Sequence, residues 1–356
     1  MGKVLLLVLG ALLGSFFVHG ADRAIPQLEV EKLVSFQTSE VVTPIGVQVT
    51  SQGMVLVPDR GAHCIHVWNS DGSSNKIIGR YGKGPGEFEF RNAWPQIDSD
   101  GKQILLVDRD RLHFFDEESL QFIKTEHFPL GRVRQFHVLD NGNYLVERFL
   151  RDNSIGQYRF QLLILDASTL EIKTLVDERL DAIARILPNR QTQYRPWGEH
   201  LVLDLLPNRQ SLVMGNSLSP SLEFRHQDGQ VYKRINTPFK PRDVTQEEIV
   251  QMRAFYQNLS KKTSVRNKFT LDAEDQPTFN YLMVLPNARY LVGNYQSYSG
   301  VLDGRIIDDQ GRVLAIYRHD FGEMGNITRS DDRYFTFEIG PGDDWIIQEV
   351  SIEMRD

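Results

Sequence analysis

The sequence predicts an all-β fold, a six-bladed β-propeller closed by an N-terminal strand. Three observations carry this prediction. A cassette of turn, apolar strand, acidic or amide residue, second strand and turn recurs along the chain. It recurs every 41 to 48 residues where nothing is inserted, and a spare strand stands ahead of the first copy. A fixed repeat of short strands means stacked supersecondary units, and this period suits four-stranded blades.

The first copy reads Gly53-Met-Val-Leu-Val-Pro-Asp59, then Cys64-Ile-His-Val-Trp68, then Asn69-Ser-Asp-Gly72. The second reads Gly101 to Asp108, Leu112-His-Phe-Phe115 and Asp116-Glu-Glu-Ser119. Six turn anchors follow the same rhythm: Ser51-Gln-Gly53, Ser99-Asp-Gly101, Asp140-Asn-Gly142, Leu206-Pro-Asn208, Leu285-Pro-Asn287 and Ser330-Asp-Asp332. Gly, Asn and Asp suit the left-handed positions of hairpin turns, and the apolar run after each anchor suits a strand buried on both faces. The spare strand, Leu28 to Phe36, places Leu28, Val30, Lys32, Val34 and Phe36 on one face. It is expected to pair with Ile346–Ile352, completing the last blade and removing two free sheet edges.

The anchor spacing widens to 66 and 79 residues in the middle of the chain, so the central blades carry insertions. The larger lies between Pro241 and Pro277, after blade four, and is partly helical. Thr245 and Glu248 stand in capping-box spacing, and Ile249, Met252, Phe255 and Leu259 share a helical face. Two readings of this helix stand: its apolar stripe packs on the propeller, or it forms a lid over one mouth of the ring.

Residues 1–20 read as a signal peptide, with an uncleaved anchor as the alternative reading. Lys3 supplies the positive start, Val4 to Val18 is an almost unbroken apolar run, and Val18-His19-Gly20 suits cleavage ahead of Ala21. Residues 21–356 then form a single exported domain, periplasmic or extracellular, with no membrane span once the signal is removed. Cys64 is the one cysteine, so the core rather than a disulfide must stabilise it. Without Lys3, 39 basic residues face 47 acidic ones, a formal charge of −8. That balance argues against sequence-independent nucleic-acid binding, which needs Lys and Arg against phosphates.

Gly79-Arg-Tyr-Gly-Lys-Gly-Pro-Gly-Glu-Phe88, following Val57-Pro-Asp59 and Ile65-His-Val-Trp68-Asn-Ser-Asp-Gly72, closely resembles bacterial six-bladed β-propellers related to NHL repeats. There a glycine-rich connector leads from one blade to the next. The match spans Gly53 to Asp116; later blades keep only the rhythm, with Pro-Asn replacing the Asp-Gly turn twice. Propellers of this kind include binding proteins and enzymes, so the fold alone does not assign a function. The connector is not a phosphate loop: it lacks the Gly-Lys-Ser/Thr ending, and Pro85 removes a donor.

Two site expectations follow. The segment Asn189 to Gly198, with Arg185 before it, concentrates Arg185, Arg190, Tyr194, Arg195 and Trp197 in a loop, and Arg, Tyr and Trp favour binding hot spots. Trp197 reads equally well as a core residue. With the 241–277 insertion this loop would form a mouth for a peptide, glycan or protein, in a protein that is not an enzyme and needs no cofactor. Alternatively, Asp59, Asp108, Glu147, Asn216, Asn294 and Glu338, which close the first apolar strand of each unit, would stand around the central channel. Oxygen ligands converging on the axis suit a hard cation, and metal-dependent propeller lactonases build their sites this way, so Glu147, Asn216, Asn294 and Glu338 would then hold Ca²⁺ or another divalent cation for hydrolase or lyase chemistry. The competing reading of these positions is turn capping. Cys64 and His66 share a strand face, too few donors for zinc.

Overall fold

The computed structural model describes residues 28–354 apart from 38–39, 91–94, 153, 155–156, 187–191, 195–200, 218, 241–242, 263–267, 270–278, 297–300, 322–325 and 341–343. The signal-peptide reading of residues 1–20 lies outside the described residues. Among those described, no helix is long and apolar enough to cross a membrane.

The strands fall into six sheets, the expected six blades. The N-terminal strand β1 (Leu28–Gln37) belongs to the last of them. Blade 1 holds β2 (Gln48–Val49), β3 (Val55–Asp59), β4 (Cys64–Trp68) and β5 (Ser74–Ile78). Blade 2 holds β6 (Gln96–Ser99), β7 (Gln103–Asp108), β8 (Arg111–Asp116) and β9 (Phe122–His127). Blade 3 begins with β10 (Arg132–Val138), β11 (Tyr144–Asp152), β12 (Gln157–Leu165) and β13 (Ile172–Ile186), and continues into β14 (Thr192–Tyr194). Blade 4 holds β15 (Leu201–Leu205), β16 (Ser211–Asn216), β17 (Ser221–His226) and β18 (Val231–Asn236). The helix α1 (Gln246–Lys262) and β19 (Lys268–Phe269) follow. Blade 5 is β20 (Tyr281–Leu285), β21 (Arg289–Gln296), β22 (Val301–Ile307) and β23 (Val313–Asp320). Blade 6 is β24 (Asn326–Ser330), β25 (Arg333–Ile339), β26 (Trp345–Met354) and β1.

Each of the six anchors sits on the hairpin joining the first two strands of a blade. The apolar run after an anchor is therefore the second strand, and β3 is buried at every position. Six apolar clusters fill the six gaps between neighbouring blades. One joins Leu105 and Leu112 of blade 2 to Val146 and Leu163 of blade 3; another joins Val213 and Phe224 of blade 4 to Val292 and Ile307 of blade 5. Each blade contributes to two clusters because its central strands are apolar on both faces.

β1 pairs antiparallel with β26 as expected, with one correction. The register slips between Lys32 and Val34, so Phe36 stands opposite Ile347 and Val34 opposite Glu349, while Lys32 stands opposite Val350 and Val30 opposite Ile352. The extra residue reverses which side of the sheet the alternating positions take. The five positions read as one face are therefore split between two. Phe36 and Val34 join the cluster against blade 1, whereas Val350 and Ile352 on the other side join the cluster against blade 5. Leu33, at the slip, is 54% exposed.

The helix is capped as its sequence dictates. The Thr245 amide donates to Glu248 Oε2 at 2.9 Å, and the Glu248 amide donates back to Thr245 Oγ1 at 3.2 Å. Ile249 and Met252 are buried, so the apolar stripe packs inward.

Candidate functional site

The innermost strand of every blade leaves one edge facing the channel, and its backbone groups need partners. In blades 1, 3 and 5 the same amide is met by a side chain of the preceding blade. The Val49 amide donates to Ser330 Oγ at 2.8 Å, that of Val138 to Asp98 Oδ2 at 2.7 Å, and that of Val284 to Asp204 Oδ2 at 2.7 Å. Asp98 and Asp204 also accept the amides of the residues that follow them, Ser99 and Leu205. The innermost strands are thus clasped in pairs: 6 with 1, 2 with 3, and 4 with 5.

Two arginines complete the clasps. Arg209 leaves the first hairpin of blade 4 and crosses to blade 2, where Nη1 donates to both oxygens of Asp98 at 3.1 Å. It also donates to the carbonyls of Ser99 and Val138, and through Nη2 to Asp331 of blade 6 at 2.8 Å. Arg329 of blade 6 holds Asp204 of blade 4 in a two-point pair, Nη2 to Oδ1 at 2.7 Å and Nε to Oδ2 at 3.2 Å, and donates to the Leu205 carbonyl. Burial pushes the Asp98 carboxyl up from the ordinary range, and the Arg209 charge opposes that push. Because Arg209 and Asp331 both stand on first hairpins, the closure lies where those hairpins gather.

Above it is an axial cavity of about 300 Å³. One register level supplies a lining residue from each blade: Gln48, Asp98, His137, Asp204, Met283 and Thr328. Gln135, two residues before His137, lines it as well, and its Oε1 is buried without a hydrogen-bond partner among the described residues.

The expected metal residues lie elsewhere. Glu147, Asn216, Asn294 and Glu338 fall on second strands, β11, β16, β21 and β25, and none lines the cavity. Glu147 is buried with Arg134 Nη1 3.5 Å away, and Glu338 faces Lys32 at 3.4 Å and His319 at 3.9 Å, toward blade 5. The expectation of a ring at the channel is corrected by one strand, because the strand after each anchor is the second and not the innermost. Among the described residues no group of three His, Cys, Asp or Glu could hold a metal ion.

Asp59 caps its own turn, whereas Asp108 holds Arg111 Nη2 at 2.6 Å and the incoming connector. Asp59 accepts the amides of Gly61 at 2.8 Å and Ala62 at 3.0 Å, and reaches back to those of Val42 and Thr43 on the incoming connector. Asp108 likewise accepts the Glu89 amide at 2.8 Å. His66 Nε2 lies 3.1 Å from Asp59 and 3.7 Å from Cys64 Sγ. One ring nitrogen faces both neighbours, so this is no relay from acid to thiol. Burial pushes the Cys64 thiol up to about 12. The glycine-rich connector is a closed turn: Glu87 accepts the Gly84 amide at 2.9 Å, and Phe88 is fully buried. Gly79, at φ 79°, has no room for a side chain, since a Cβ would lie 2.2 Å from the Phe88 ring.

The Arg- and aromatic-rich segment is only partly described. Arg190, Arg195 and Trp197 lie outside the described residues. Arg185 and Tyr194 occupy positions on β13 and β14, which pair antiparallel. β14 then pairs in parallel with β19, Gln193 opposite Lys268 and Tyr194 opposite Phe269. The segment and the 241–277 insertion are therefore joined through one sheet, a six-stranded blade 3. Both arise from connectors between blades, on the side of the ring opposite the first hairpins.

Residues 32–282 match the DUF5128 family, described as a 6-bladed beta-propeller. The chain belongs to that family. This DUF5128 propeller is also similar to a solved protein of Bacteroides fragilis described as a candidate exported protein. The two share 14% identity at a TM-score of 0.56, over 92% of this chain and 96% of that one. A member of the DUF4221 family from Bacteroides vulgatus is similar at 10% identity and a TM-score of 0.52, over 93% of this chain and all of the other. These likenesses concern the fold. No curated protein matches the DUF5128 chain.

Proposed function

We propose that this protein is an exported, non-catalytic binding propeller, kin to the NHL-repeat propellers, that works in the periplasm or outside the cell. It takes a peptide, glycan or protein at the mouth built from residues 185–198 and the 241–277 insertion. The observation that carries the reading is the parallel pairing of β14 with β19. Two segments 75 residues apart in sequence are held side by side on the blade that extends beyond four strands. The first of them, residues 185–198, concentrates Arg and aromatic residues, the types that dominate binding hot spots. Export is supported by the apolar run from Val4 to Val18 and by the likeness to the Bacteroides fragilis protein.

The test is a screen of glycan and peptide arrays with the purified protein and with an Arg195→Ala/Trp197→Ala variant. The expected result is a ligand that the double variant binds at least about tenfold more weakly, with folding unchanged by circular dichroism. Equal binding by both proteins overturns the assignment of this mouth.

A further inference from the structure

The three clasped amides of the innermost strands each follow a residue that lines the axial cavity. Gln48 precedes Val49, His137 precedes Val138 and Met283 precedes Val284. At this position blades 1 and 5 carry a side chain that does not titrate, and blade 3 carries one that does. The His137 side chain is 32% exposed, and its Nδ1 stands 3.9 Å from Asp98 Oδ2. That is beyond hydrogen-bond reach, yet near enough for a charge on the ring to act on the carboxylate.

Asp98 has no lone pair to spare. Its Oδ2 accepts the Val138 amide at 2.7 Å and Arg209 Nη1 at 3.1 Å, and its Oδ1 accepts the Ser99 amide at 2.7 Å and Arg209 Nη2 at 3.1 Å. A protonated imidazole can bond to this carboxylate only by displacing a donor. Around the ring stand Asp98 on β6, Asp204 on β15, Arg209 on the hairpin after β15 and Arg329 on β24. Asp331 pairs with Arg209, and Tyr281 of β20 donates its hydroxyl to the Ile327 carbonyl. Both inner aspartates are already paired with arginines, so a further cation meets two guanidiniums and no unpaired carboxylate among these groups.

Burial, with help from Arg209 and Arg329, holds the His137 imidazole below its ordinary value near 6.5, against the pull of Asp98 and Asp204. The unfolded chain takes up this proton at a higher pH than the folded one. The clasp is therefore whole above about pH 6.5 and weakens as pH falls below it.

We propose that His137 is a proton-operated release for the closure of the channel: once protonated it displaces Arg209 from Asp98 and loosens the crossing between blades 4 and 2. The clasps of Val49 and Val284, headed by Gln48 and Met283, stay shut. The device does not depend on the mouth at residues 185–198.

Hydrogen exchange of the whole protein, read at single amides by mass spectrometry between about pH 7.5 and about pH 5, tests this once rates are corrected for the intrinsic pH dependence of exchange. Protection of the Val138 amide, which donates to Asp98, should fall at least about tenfold across that range. Protection of the Val284 amide, which donates to Asp204, should change by less than about twofold. In His137→Gln, which places there the residue found at this level in blade 1, Val138 should keep its protection down to about pH 5. The proposal is overturned if Val138 is equally protected throughout in the parent, if Val284 falls with it, or if the fall persists in His137→Gln, which would assign it to Asp98 itself. The first two outcomes are read in the parent alone, so they decide the matter even if the variant does not fold.

Discussion

Arg209 on blade 4 and Asp98 on blade 2 meet across the channel although 111 residues separate them, the guanidinium donating to both carboxylate oxygens at 3.1 Å. No hydrogen bond between adjacent blades can substitute for this pair, because it ties blades that share no interface.

Removing Arg209 should leave the Asp98 carboxylate buried beside backbone amides with its charge uncompensated. Arg209→Ala is expected to cost about 3–5 kcal/mol in urea unfolding. Adding Asp98→Asn should recover part of that loss, a coupling of about 1 kcal/mol or more. Strictly additive effects would show that the clasp contributes nothing beyond its parts.

Asp59 should make the protein acid-sensitive within a defined window. Burial pushes its carboxyl up, but the His66 contact and the amides of Val42, Ala62 and Thr43 outweigh that and bring it to about 2. The unfolded value is about 3.9, so the folded form is favoured by roughly 2 kcal/mol above pH ~4. That stabilisation is lost as pH falls from about 4 through about 2. Asp59→Asn should therefore unfold more easily than the parent at neutral pH, and the two should converge near pH 2. A constant gap across a pH series of denaturant melts would contradict the assignment.

Closure by β1 should govern solubility. Deleting residues 21–37 should give insoluble or strongly destabilised protein, whereas deleting 21–26 should not. Phe36 is fully buried against Trp68 and Phe335, with ring centres 6.1 and 6.2 Å away. Phe36→Ala is expected to cost about 3–5 kcal/mol. A soluble 21–37 deletion with an unchanged melting temperature would make β1 a tail.

Much of the fold was legible because second strands such as Val55–Asp59 and Gln103–Asp108 are apolar on both faces and begin after a marked turn. The innermost strands were not. β2 is two residues long, and β6 reads Gln-Ile-Asp-Ser, because one edge of each faces a polar channel. Taking the second strand for the innermost moved the expected axial ring outward, from Asp98 and Asp204 to positions such as Glu147 and Glu338. An acidic residue shortly before an anchor, as in Asp98-Ser-Asp-Gly101 and Asp204-Leu-Leu-Pro-Asn208, is the signal that marks the inner ring. Pairing those acids with Arg209 and Arg329 had no local signal at all, since the partners are more than 100 residues away. The bulge at Leu33 was hidden for a related reason: alternation predicts a face, but only the register with β26 reveals a slip.

The pairing of Leu28–Gln37 with Trp345–Met354 also imposes an order in time. During synthesis, β1 leaves the ribosome before any other strand described here, and its partner is the last to emerge. Five blades can assemble while this ten-residue strand still has no neighbour. For that interval the growing chain carries an exposed edge, the kind on which strands of other molecules add. The shape of the ring thus sets a waiting period whose length is the time needed to make the remaining residues.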